Sequence, residues 1–316
     1  MAKWTAASIP DQTGKVVVVT GANSGLGYET TLALARKGAH IVMACRNMQK
    51  GEVARNDIAR QVPNASLDVQ VLDLASLASV RAFAEAFNSR YQQLDILYNN
   101  AGIMGIPQRI ETADGFEMQF GTNHLGHFAL TGLLLDAILS APNSRVVTTT
   151  SVVHHMGVGQ IHFNDLQRKN SYQRWLAYGQ SKFANLLFTL ELQRKLTAIG
   201  SRTISVAAHP GYSATHLQTT GPGMGGTKIE LQVSEFINRY VAQSAAMGAL
   251  PQLYAGTAPG VLGGDYYGPA LAGFRGYPLQ RYPNPAAFDA PLAAQLWNVS
   301  EELTGVRYTT FEMLAA

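Results

Sequence analysis

The sequence contains very little cysteine. Its 316 residues include one, Cys45, so the chain cannot form an internal disulfide and is expected in a reducing compartment. Cys45 ends the apolar run HIVMAC at 40–45. This position predicts a buried residue at the end of a strand and not a reactive thiol.

Charge is also scarce. Charged residues make up 14% of the chain and hydrophobic residues 47%, a balance typical of a globular domain and not of a disordered chain. The formal net charge is only +3, and the basic residues are scattered. A nucleic-acid partner is therefore not expected.

Long apolar runs are missing as well. Residues 1–15, MAKWTAASIPDQTGK, contain no run of the length that a signal peptide needs, and the longest apolar segments elsewhere carry His, Asp or Asn. We therefore expect no integral membrane segment, and a soluble protein in the cytoplasm.

Two kinds of site lack their signatures. The histidines, among them His154, His155 and His162, form no set with metal-ligand spacing and a carboxylate partner, so no metal site is predicted. Ser151 is not flanked by the glycines of a nucleophile elbow, which argues against acyl transfer.

What the chain does contain is an alternation of strand and helix patterns. This alternation predicts an α/β fold, a single Rossmann-type doubly wound parallel sheet of about seven strands with helices on both faces. The strand-like runs lie at 15–20, 40–45, 67–74, 94–102, 144–151 and 202–211, with a seventh expected within GVLGGDYYGP.

No linker divides the chain, so residues 1–316 are predicted to form one domain, with residues 1–13 as an N-terminal extension. The segment 256–316 is expected to be loop-rich, because glycine and proline interrupt it, above all over 256–285. A final helix is predicted near 288–303, ending before a glycine.

A glycine-rich turn, TGANSGLG, follows the first predicted strand. Gly21, Gly25 and Gly27 would let the backbone approach a pyrophosphate at the start of the next helix. The spacing is G-x-x-x-G-x-G and not the general G-x-G-x-x-G, and an ordinary strand-to-helix turn is the alternative.

The end of the second strand bears on the choice of cofactor. An NAD site usually has an acidic residue there to bind the ribose hydroxyl, whereas this sequence has Ala44, Cys45 and Arg46. Arg46, with Lys50 one turn further on, could bind a 2′-phosphate. This pattern favours NADP(H); the alternative is a solvated arginine.

A helical pattern surrounds the stretch YGQSK. Tyr178 and Lys182 are four residues apart, which places both on one face of the predicted helix. A surface pair is the alternative, since a tyrosine and a lysine at this spacing often occur by chance.

The ordered motifs together resemble those of short-chain dehydrogenases/reductases over about residues 14–270. Those motifs are TGANSGLG, DL at 73–74, NNAG at 99–102, Asn123, Ser151, YGQSK and HPG at 209–211. Within that superfamily the sequence is similar to the retinol-dehydrogenase-like branch, which includes protochlorophyllide reductases. The features are ACRN at 44–47, NHLGHF at 123–128, SVVHH at 151–155, and a long interval before the tyrosine that is expected to form an excursion at the mouth of the site.

The resemblance implies catalytic roles for four residues. Tyr178 would be the general acid/base, with Lys182 lowering its pKa and binding the nicotinamide ribose. Ser151 would hold the substrate oxygen, and Asn123 would fix a water that links Lys182 to solvent. The implied cofactor-binding residues are Gly21, Asn23, Ser24, Gly25, Leu26, Gly27, Arg46, Asp73, Leu74, Asn100, Ala101, Gly102, Tyr178, Lys182, Pro210, Gly211 and Thr215.

The resemblance also implies a substrate lid over 212–250. Glycines around Pro222 suit a hinge, and the apolar residues that follow, such as Leu231 and Phe236, would either line the pocket or belong to the core. We therefore expect NADP(H)-dependent reduction of a lipophilic aldehyde or ketone, or the reverse oxidation.

Three other functions are compatible with the sequence. One is a nicotinamide-sensing binding protein without turnover, although such proteins tend to lose the tyrosine. Another is a sugar-nucleotide isomerase or lyase, a branch with different glycine spacing. The third is C=C reduction of the protochlorophyllide type. The expected partner is a small molecule, and a homo-oligomer is among the alternatives for assembly.

Overall fold

The first strand, β1 (Val16–Thr20), is buried on both faces, as its run of β-branched residues predicts. Val17 and Val19 contribute to one apolar cluster and Val18 to another on the opposite side of the sheet. The computed structural model describes residues 3–155, 160–212 and 243–315.

The described strands form one sheet of eight. They run in the order β3-β2-β1-β4-β5-β6-β7-β8, and every neighbouring pair is parallel except β7 and β8. Strand order reverses between β1 and β4, which is where open α/β sheets bind ligands, beyond the carboxyl ends of the strands. The remaining strands are β2 (His40–Cys45), β3 (Ser66–Val71), β4 (Ile96–Asn99), β5 (Arg145–Thr149), β6 (Ile204–Ala208), β7 (Tyr266–Leu271) and β8 (Arg275–Gln280).

Helices cover both faces of this sheet, as the alternating pattern predicts. They are α1 (Gly25–Ala35), α2 (Met48–Gln61), α3 (Leu77–Arg90), α4 (Met118–Phe120), α5 (Gly126–Leu133), α6 (Leu135–Ser140), α7 (Arg174–Ala198), α8 (Ala245–Thr257), α9 (Ala290–Thr304) and α10 (Thr309–Ala315). A π-helical turn, Gly121–Leu125, joins α4 to α5. Across the described ranges, no helix combines the length and apolar character that crossing a bilayer requires.

β7 confirms the seventh strand expected within GVLGGDYYGP, whereas the loop predicted over 256–285 is wrong at β8, which forms an antiparallel hairpin with β7. This hairpin brings the sheet to eight strands where about seven were predicted. Pro269 and Pro278 lie opposite each other in it. Pro278 is tolerated because β8 is an edge strand, so its outer side needs no ladder hydrogen bond. Pro269 lies beyond Tyr266 and Tyr267, the residues of β7 that pair with β6.

The predicted last helix is confirmed as α9. The side chain of Asp289 caps its first turn by accepting from the Leu292 N–H at 3.0 Å. Gly305 ends the helix in the left-handed region, at φ +62°. Cys45 is confirmed as a buried residue at the end of β2.

Most of the predicted lid, residues 213–242, lies outside the described residues, and so do Thr215 and residues 156–159 of the predicted excursion. At the C-terminal side of the lid range, residues 245–250 begin α8. Ala249 and Leu250 of this helix are buried in the core cluster that also contains α1.

Candidate active site

A cleft of about 1760 Å³ runs along the carboxyl ends of the central strands. Nearly all of the residues predicted to bind the cofactor line it, with Thr215 outside the described residues. Ser151, Tyr178 and Lys182 also line it. The sheet therefore brings motifs that are far apart in sequence to one surface.

The glycine turn at the end of β1 has the tight geometry that its sequence predicts. Gly21 and Gly25 adopt φ values of +68° and +54°, which favour glycine. A Cβ built on Gly27 would lie 2.2 Å from the carbonyl oxygen of Gly21. The turn and the N-terminus of α1 thus present bare backbone to the cleft, as binding of a pyrophosphate requires.

One end of the cleft is exposed and basic. Arg46 follows β2, and Lys50 lies in the first turn of α2; both side chains are exposed and both line the cleft. Asn47 caps α2 by accepting from the Lys50 N–H at 2.9 Å. Across the cleft, Asp73 Oδ1 accepts from the Ala75 N–H at 3.0 Å.

The floor of the cleft is held by hydrogen bonds from Asn100 and Thr20. Asn100 Nδ2 donates to the Thr20 carbonyl at 2.7 Å. Thr20 Oγ1 lies 2.9 Å from the backbone N–H groups of both Asn100 and Ala101 and accepts from them. Asn100 lines the cleft, but its amide donates to the protein backbone.

Tyr178 and Lys182 lie side by side on α7, deep in the cleft. Tyr178 is 4% exposed and Lys182 is 2% exposed, so the alternative of a surface pair is wrong. The phenol of Tyr178 is hydrogen-bonded to the Ser151 side chain. Lys182 Nζ donates to the Thr149 carbonyl at 3.1 Å and lies 5.9 Å from the centre of the Tyr178 ring.

Burial shifts the pKa values of both residues of this pair. Burial raises the pKa of Tyr178 to about 12, and the hydrogen bond from Ser151 opposes this rise. Burial lowers the pKa of Lys182 to about 8. In the chain by itself, the cost of burying a phenolate sets the direction of the tyrosine pKa, and the lowering of that pKa by Lys182 stays a prediction.

Asn123 lies behind the cleft wall in the π-helical turn, with 0% exposure. Its side chain exchanges two hydrogen bonds with the backbone of Ile103, at 2.8 and 2.9 Å, and donates to Ser181 Oγ at 2.9 Å. A Cβ built on Gly102 would lie 3.1 Å from Asn123 Oδ1 and 3.4 Å from Lys182 Nζ. The glycine of NNAG thus leaves room for the lysine.

Sequence reasoning missed Gln252 of α8, which is 3% exposed. Its Nε2 donates to Thr30 Oγ1 at 2.6 Å and to Asn100 Oδ1 at 3.1 Å, while its Oε1 accepts from Thr149 Oγ1 at 3.0 Å. Gln252 therefore joins α1, the helix after the glycine turn, to the ends of β4 and β5. NNAG lies at the end of β4, and the Thr149 carbonyl that accepts from Lys182 lies at the end of β5. No motif marks this residue, because its role depends on how α8 packs.

The other end of the cleft is mostly apolar. Trp175, 42% exposed, stands edge-on to Tyr178 with 6.5 Å between the ring centres and packs over Gly105. Its neighbour Arg174 also lines the cleft, with its guanidinium 5.8 Å from the Trp175 ring centre. The apolar residues that line this end are Ile103, Met104, Met118, Val152, Val153, Trp175, Tyr212 and Phe274.

The HPG turn after β6 borders the same end. Gly211 has φ +64°, and a Cβ built on it would lie 2.3 Å from the Phe274 carbonyl oxygen. The Pro210 carbonyl accepts from Gln243 Nε2 at 2.8 Å. The Tyr212 N–H donates to the Phe274 carbonyl oxygen at 2.9 Å, so the turn between β7 and β8 holds the HPG turn in place.

The sheet order, the glycine turn and the position of the cleft define a dinucleotide-binding α/β protein. The profile of the short chain dehydrogenase family matches residues 15–163. Human retinol dehydrogenase 12 is 41% identical over 297 residues, which cover 93% of this chain and 88% of that protein. Human retinol dehydrogenase 13 is 41% identical over 301 residues, covering 95% and 86% of the two chains.

Solved structures agree with this assignment. The crystal structure of an uncharacterized protein from Mycobacterium paratuberculosis is 42% identical and covers 97% of this chain and 99% of that one, with a TM-score of 0.79. A short chain dehydrogenase from Shigella flexneri, complexed with NADP, covers 80% of this chain and 96% of that one, with a TM-score of 0.61. Its 21% identity shows the fold alone.

The chain belongs to the short chain dehydrogenase family, in the retinol-dehydrogenase-like branch. It is accordingly an oxidoreductase that acts on CH–OH groups and uses a nicotinamide cofactor.

Proposed function

We propose that this protein uses NADP(H) to reduce a lipophilic aldehyde or ketone to the alcohol, or to catalyse the reverse oxidation. The observation that carries the proposal is the position of Tyr178. Its phenol is buried, hydrogen-bonded to Ser151, and lies where one cleft changes from a basic, exposed end to an apolar one.

The residues of the cleft fit a phosphorylated dinucleotide. Gly21 and Gly27 leave bare backbone at the first turn, where a Cβ would collide with neighbouring atoms. Arg46 and Lys50 supply positive charge, and β2 does not end in the acidic residue that an NAD site usually has. Both features support NADP(H) over NAD(H). When bound, the nicotinamide supplies a hydride to the carbonyl carbon or accepts one from the alcohol.

Tyr178 can act as the proton donor of the reductive reaction. With a pKa of about 12, the phenol carries its proton at neutral pH, so it can donate that proton to the substrate oxygen as negative charge develops there. Ser151 would hold the same oxygen. Lys182, fixed by the Thr149 carbonyl, would supply positive charge beside the phenolate that forms.

The apolar end of the cleft supports a lipophilic substrate. Met104, Met118, Val152 and Trp175 offer apolar surface to a ligand, and burying it against such surface contributes roughly 25 cal/mol for each Å² removed from water. The relatives named retinol dehydrogenases make a long, uncharged polyene aldehyde a specific candidate.

The alternatives are less well supported. A sensor without turnover has no need for a buried phenol bonded to Ser151. C=C reduction of the protochlorophyllide type calls, by family resemblance, for cysteines around the pigment, whereas Cys45 is buried at the cofactor end. The cytoplasmic location, the single domain and the assembly state remain predictions from the sequence.

An initial-rate panel tests the proposal. The purified protein is assayed with NADPH and NADH against all-trans-retinal, decanal, glyceraldehyde and pyruvate. We expect the highest kcat/KM for NADPH with the two lipophilic aldehydes. Highest kcat/KM for glyceraldehyde or pyruvate would contradict the substrate class, and equal use of both nucleotides would contradict the cofactor.

A further inference from the structure

The second histidine of the motif NHLGHF, His127, lies outside the cleft but contacts two parts of its frame. It is 1% exposed and lies on α5, one turn after Asn123. Its Nδ1 is 3.0 Å from the Asn123 carbonyl oxygen, and its Nε2 is 3.0 Å from Thr20 Oγ1. Asn123 belongs to the catalytic side of the cleft, and Thr20 immediately precedes the glycine turn.

The partners of His127 determine which ring nitrogen carries the proton. A carbonyl oxygen can only accept, so Nδ1–H must donate to Asn123. Burial lowers the pKa of His127 to about 4, which leaves the ring neutral at pH 7. Nε2 is therefore an acceptor, and the Thr20 hydroxyl donates to it.

This arrangement gives the Thr20 hydroxyl a fixed direction. Because its proton points to His127, both lone pairs of Oγ1 are available to the N–H groups of Asn100 and Ala101, each at 2.9 Å. The Tyr98 carbonyl, at 3.2 Å from Oγ1, is the competing acceptor for the Thr20 proton. Without an acceptor at Nε2, the hydroxyl would turn towards Tyr98.

At its other end His127 contacts an unusual piece of helix. Gly121–Leu125 is a π-helical turn, a rare conformation whose wider hydrogen-bond ring is found in short pieces, often at functional sites. The turn aims the Asn123 side chain at Ile103, and the Nδ1–H group adds a donor to the carbonyl of the same residue.

We propose that His127 is a positioning residue that couples the Asn123 turn to the cofactor-binding turn through Thr20. It touches neither substrate nor cofactor. Its Nε2 keeps the backbone of Asn100 and Ala101 in place for the dinucleotide, and its Nδ1 keeps Asn123 in place behind Lys182. The kinetic part of this role rests on the proposed function.

His124 provides a matched control for this role. It lies in the π-helical turn, is 1% exposed like His127, and is hydrogen-bonded through Nε2 to Ser300 of α9 at 2.9 Å, on the side away from the cofactor turn. A histidine that merely fills the core should behave like His124.

The test uses variants that keep one contact at a time. His127→Asn places an amide near the position of Nδ1, His127→Gln places one near Nε2, and His127→Leu keeps neither. Dissociation constants for NADPH and NADH are measured by fluorescence titration, which needs no turnover, and kcat is measured with the best aldehyde. His124→Leu is carried through the same assays.

We expect His127→Leu to raise the cofactor Kd about three- to tenfold and to lower kcat by a similar factor, the size of one lost neutral hydrogen bond at each end. His127→Asn should raise Kd with kcat near the wild-type value, and His127→Gln should lower kcat with Kd near the wild-type value. His124→Leu should change neither by more than about twofold.

Two results would overturn the role of His127. One is an unchanged Kd and kcat in His127→Leu; the other is the same loss in the Asn, Gln and Leu variants, which would mean packing alone. If the leucine variant does not fold, the opposite patterns of the Asn and Gln variants decide. Because both nucleotides are titrated, tighter wild-type binding of NADH would contradict the proposed cofactor and leave this test intact.

Discussion

The two ends of the cleft differ in their contact with water. At the basic end, Arg46 and Lys50 are exposed. A ligand that binds there gives up contacts with water for contacts with side chains that are themselves hydrated. At the other end, called the catalytic end for the role proposed for Tyr178, Tyr178 and Lys182 are at most 4% exposed, and burial shifts the pKa of both. The basic end is therefore suited to selecting a cofactor and the catalytic end to carrying out chemistry.

This contrast predicts how substitutions at the two ends will differ in size. An exposed charge is screened by salt and is worth little, whereas a buried polar group acts at close range in a medium of low dielectric constant. Changes at the buried end should alter kcat strongly, and changes at the exposed end should alter nucleotide preference modestly.

The largest effect is expected for Tyr178→Phe. The ring remains but the proton donor is lost, so kcat should fall by about 10²–10⁴-fold, the usual contribution of a general acid. NADPH titration should give a Kd within about threefold of the wild type, since removal of the hydroxyl costs the bound cofactor at most one weak hydrogen bond. Tyr254→Phe, which removes a phenol from α8, is the control and should keep its activity.

A Tyr178→Phe enzyme that keeps a large share of the wild-type rate, with NADPH bound normally, would remove the tyrosine from the mechanism. The two ends of the cleft would then differ in exposure without differing in role.

The second prediction concerns acid, because two histidines lie buried near the catalytic end. Burial lowers the pKa of His124 to about 3 and that of His127 to about 4, from 6.5 in the unfolded chain. The unfolded state therefore binds more protons below pH 6.5, so the free energy of unfolding falls as pH drops from 6.5 towards 4. Each histidine lowers the free energy of unfolding by up to about 1.4 kcal/mol for each pH unit below 6.5.

Urea unfolding at pH 7, 6 and 5 measures this loss, which should reach a few kcal/mol at pH 5. Burial raises the pKa of Glu117, which acts in the opposite direction by favouring the folded state as acid is added. His124→Leu should reduce the pH dependence relative to the wild type. A free energy of unfolding that does not change between pH 7 and 5 would contradict the buried, neutral state of these histidines.

At the exposed end, Arg46→Asp should reverse the nucleotide preference. Loss of a charge-assisted phosphate contact and gain of a repulsive carboxylate should lower kcat/KM for NADPH about tenfold or more, with little effect on NADH. Arg55→Asp, at a partly exposed position of α2 that does not line the cleft, makes the same change of charge and is the control. Added KCl should weaken the wild-type preference for NADPH; a preference independent of both Arg46 and salt would refute the electrostatic explanation.

The smallest effect is expected at Trp175, which is half-exposed beside Tyr178. Trp175→Ala should raise KM for all-trans-retinal about three- to tenfold, because apolar contact area is lost. It should leave KM for glyceraldehyde nearly unchanged. Equal changes for both aldehydes would show that Trp175 supports the fold of the site and does not contact lipophilic substrate.

Much of the fold was predictable because it depends on local patterns. The buried strands β1 and β2 read as continuous apolar runs, and the glycines of the first turn are spaced for one tight geometry. β7 was predicted, but β8 was missed because glycine and proline usually indicate loop, and only the place of β8 at the sheet edge makes Pro278 acceptable in a strand.

The site also combines features that local spacing predicts with features that depend on packing. Tyr178 and Lys182 follow from helical spacing, but the direction of the tyrosine pKa does not, because it depends on burial by distant segments. The contacts of Gln252 and His127 likewise depend on how helices pack against the sheet, which no motif in the sequence encodes.

In the proposed reaction, Tyr178 donates a proton to the substrate oxygen while hydride reaches the carbonyl carbon. The most direct measurement follows the label from NADPH deuterated at C4 of the nicotinamide into the product of all-trans-retinal, by mass spectrometry and NMR. We expect an alcohol with deuterium on the carbinol carbon from the wild type, and almost no labelled alcohol from Tyr178→Phe. Deuterium at a former C=C carbon, or no labelled product from an enzyme that binds NADPH, would contradict it.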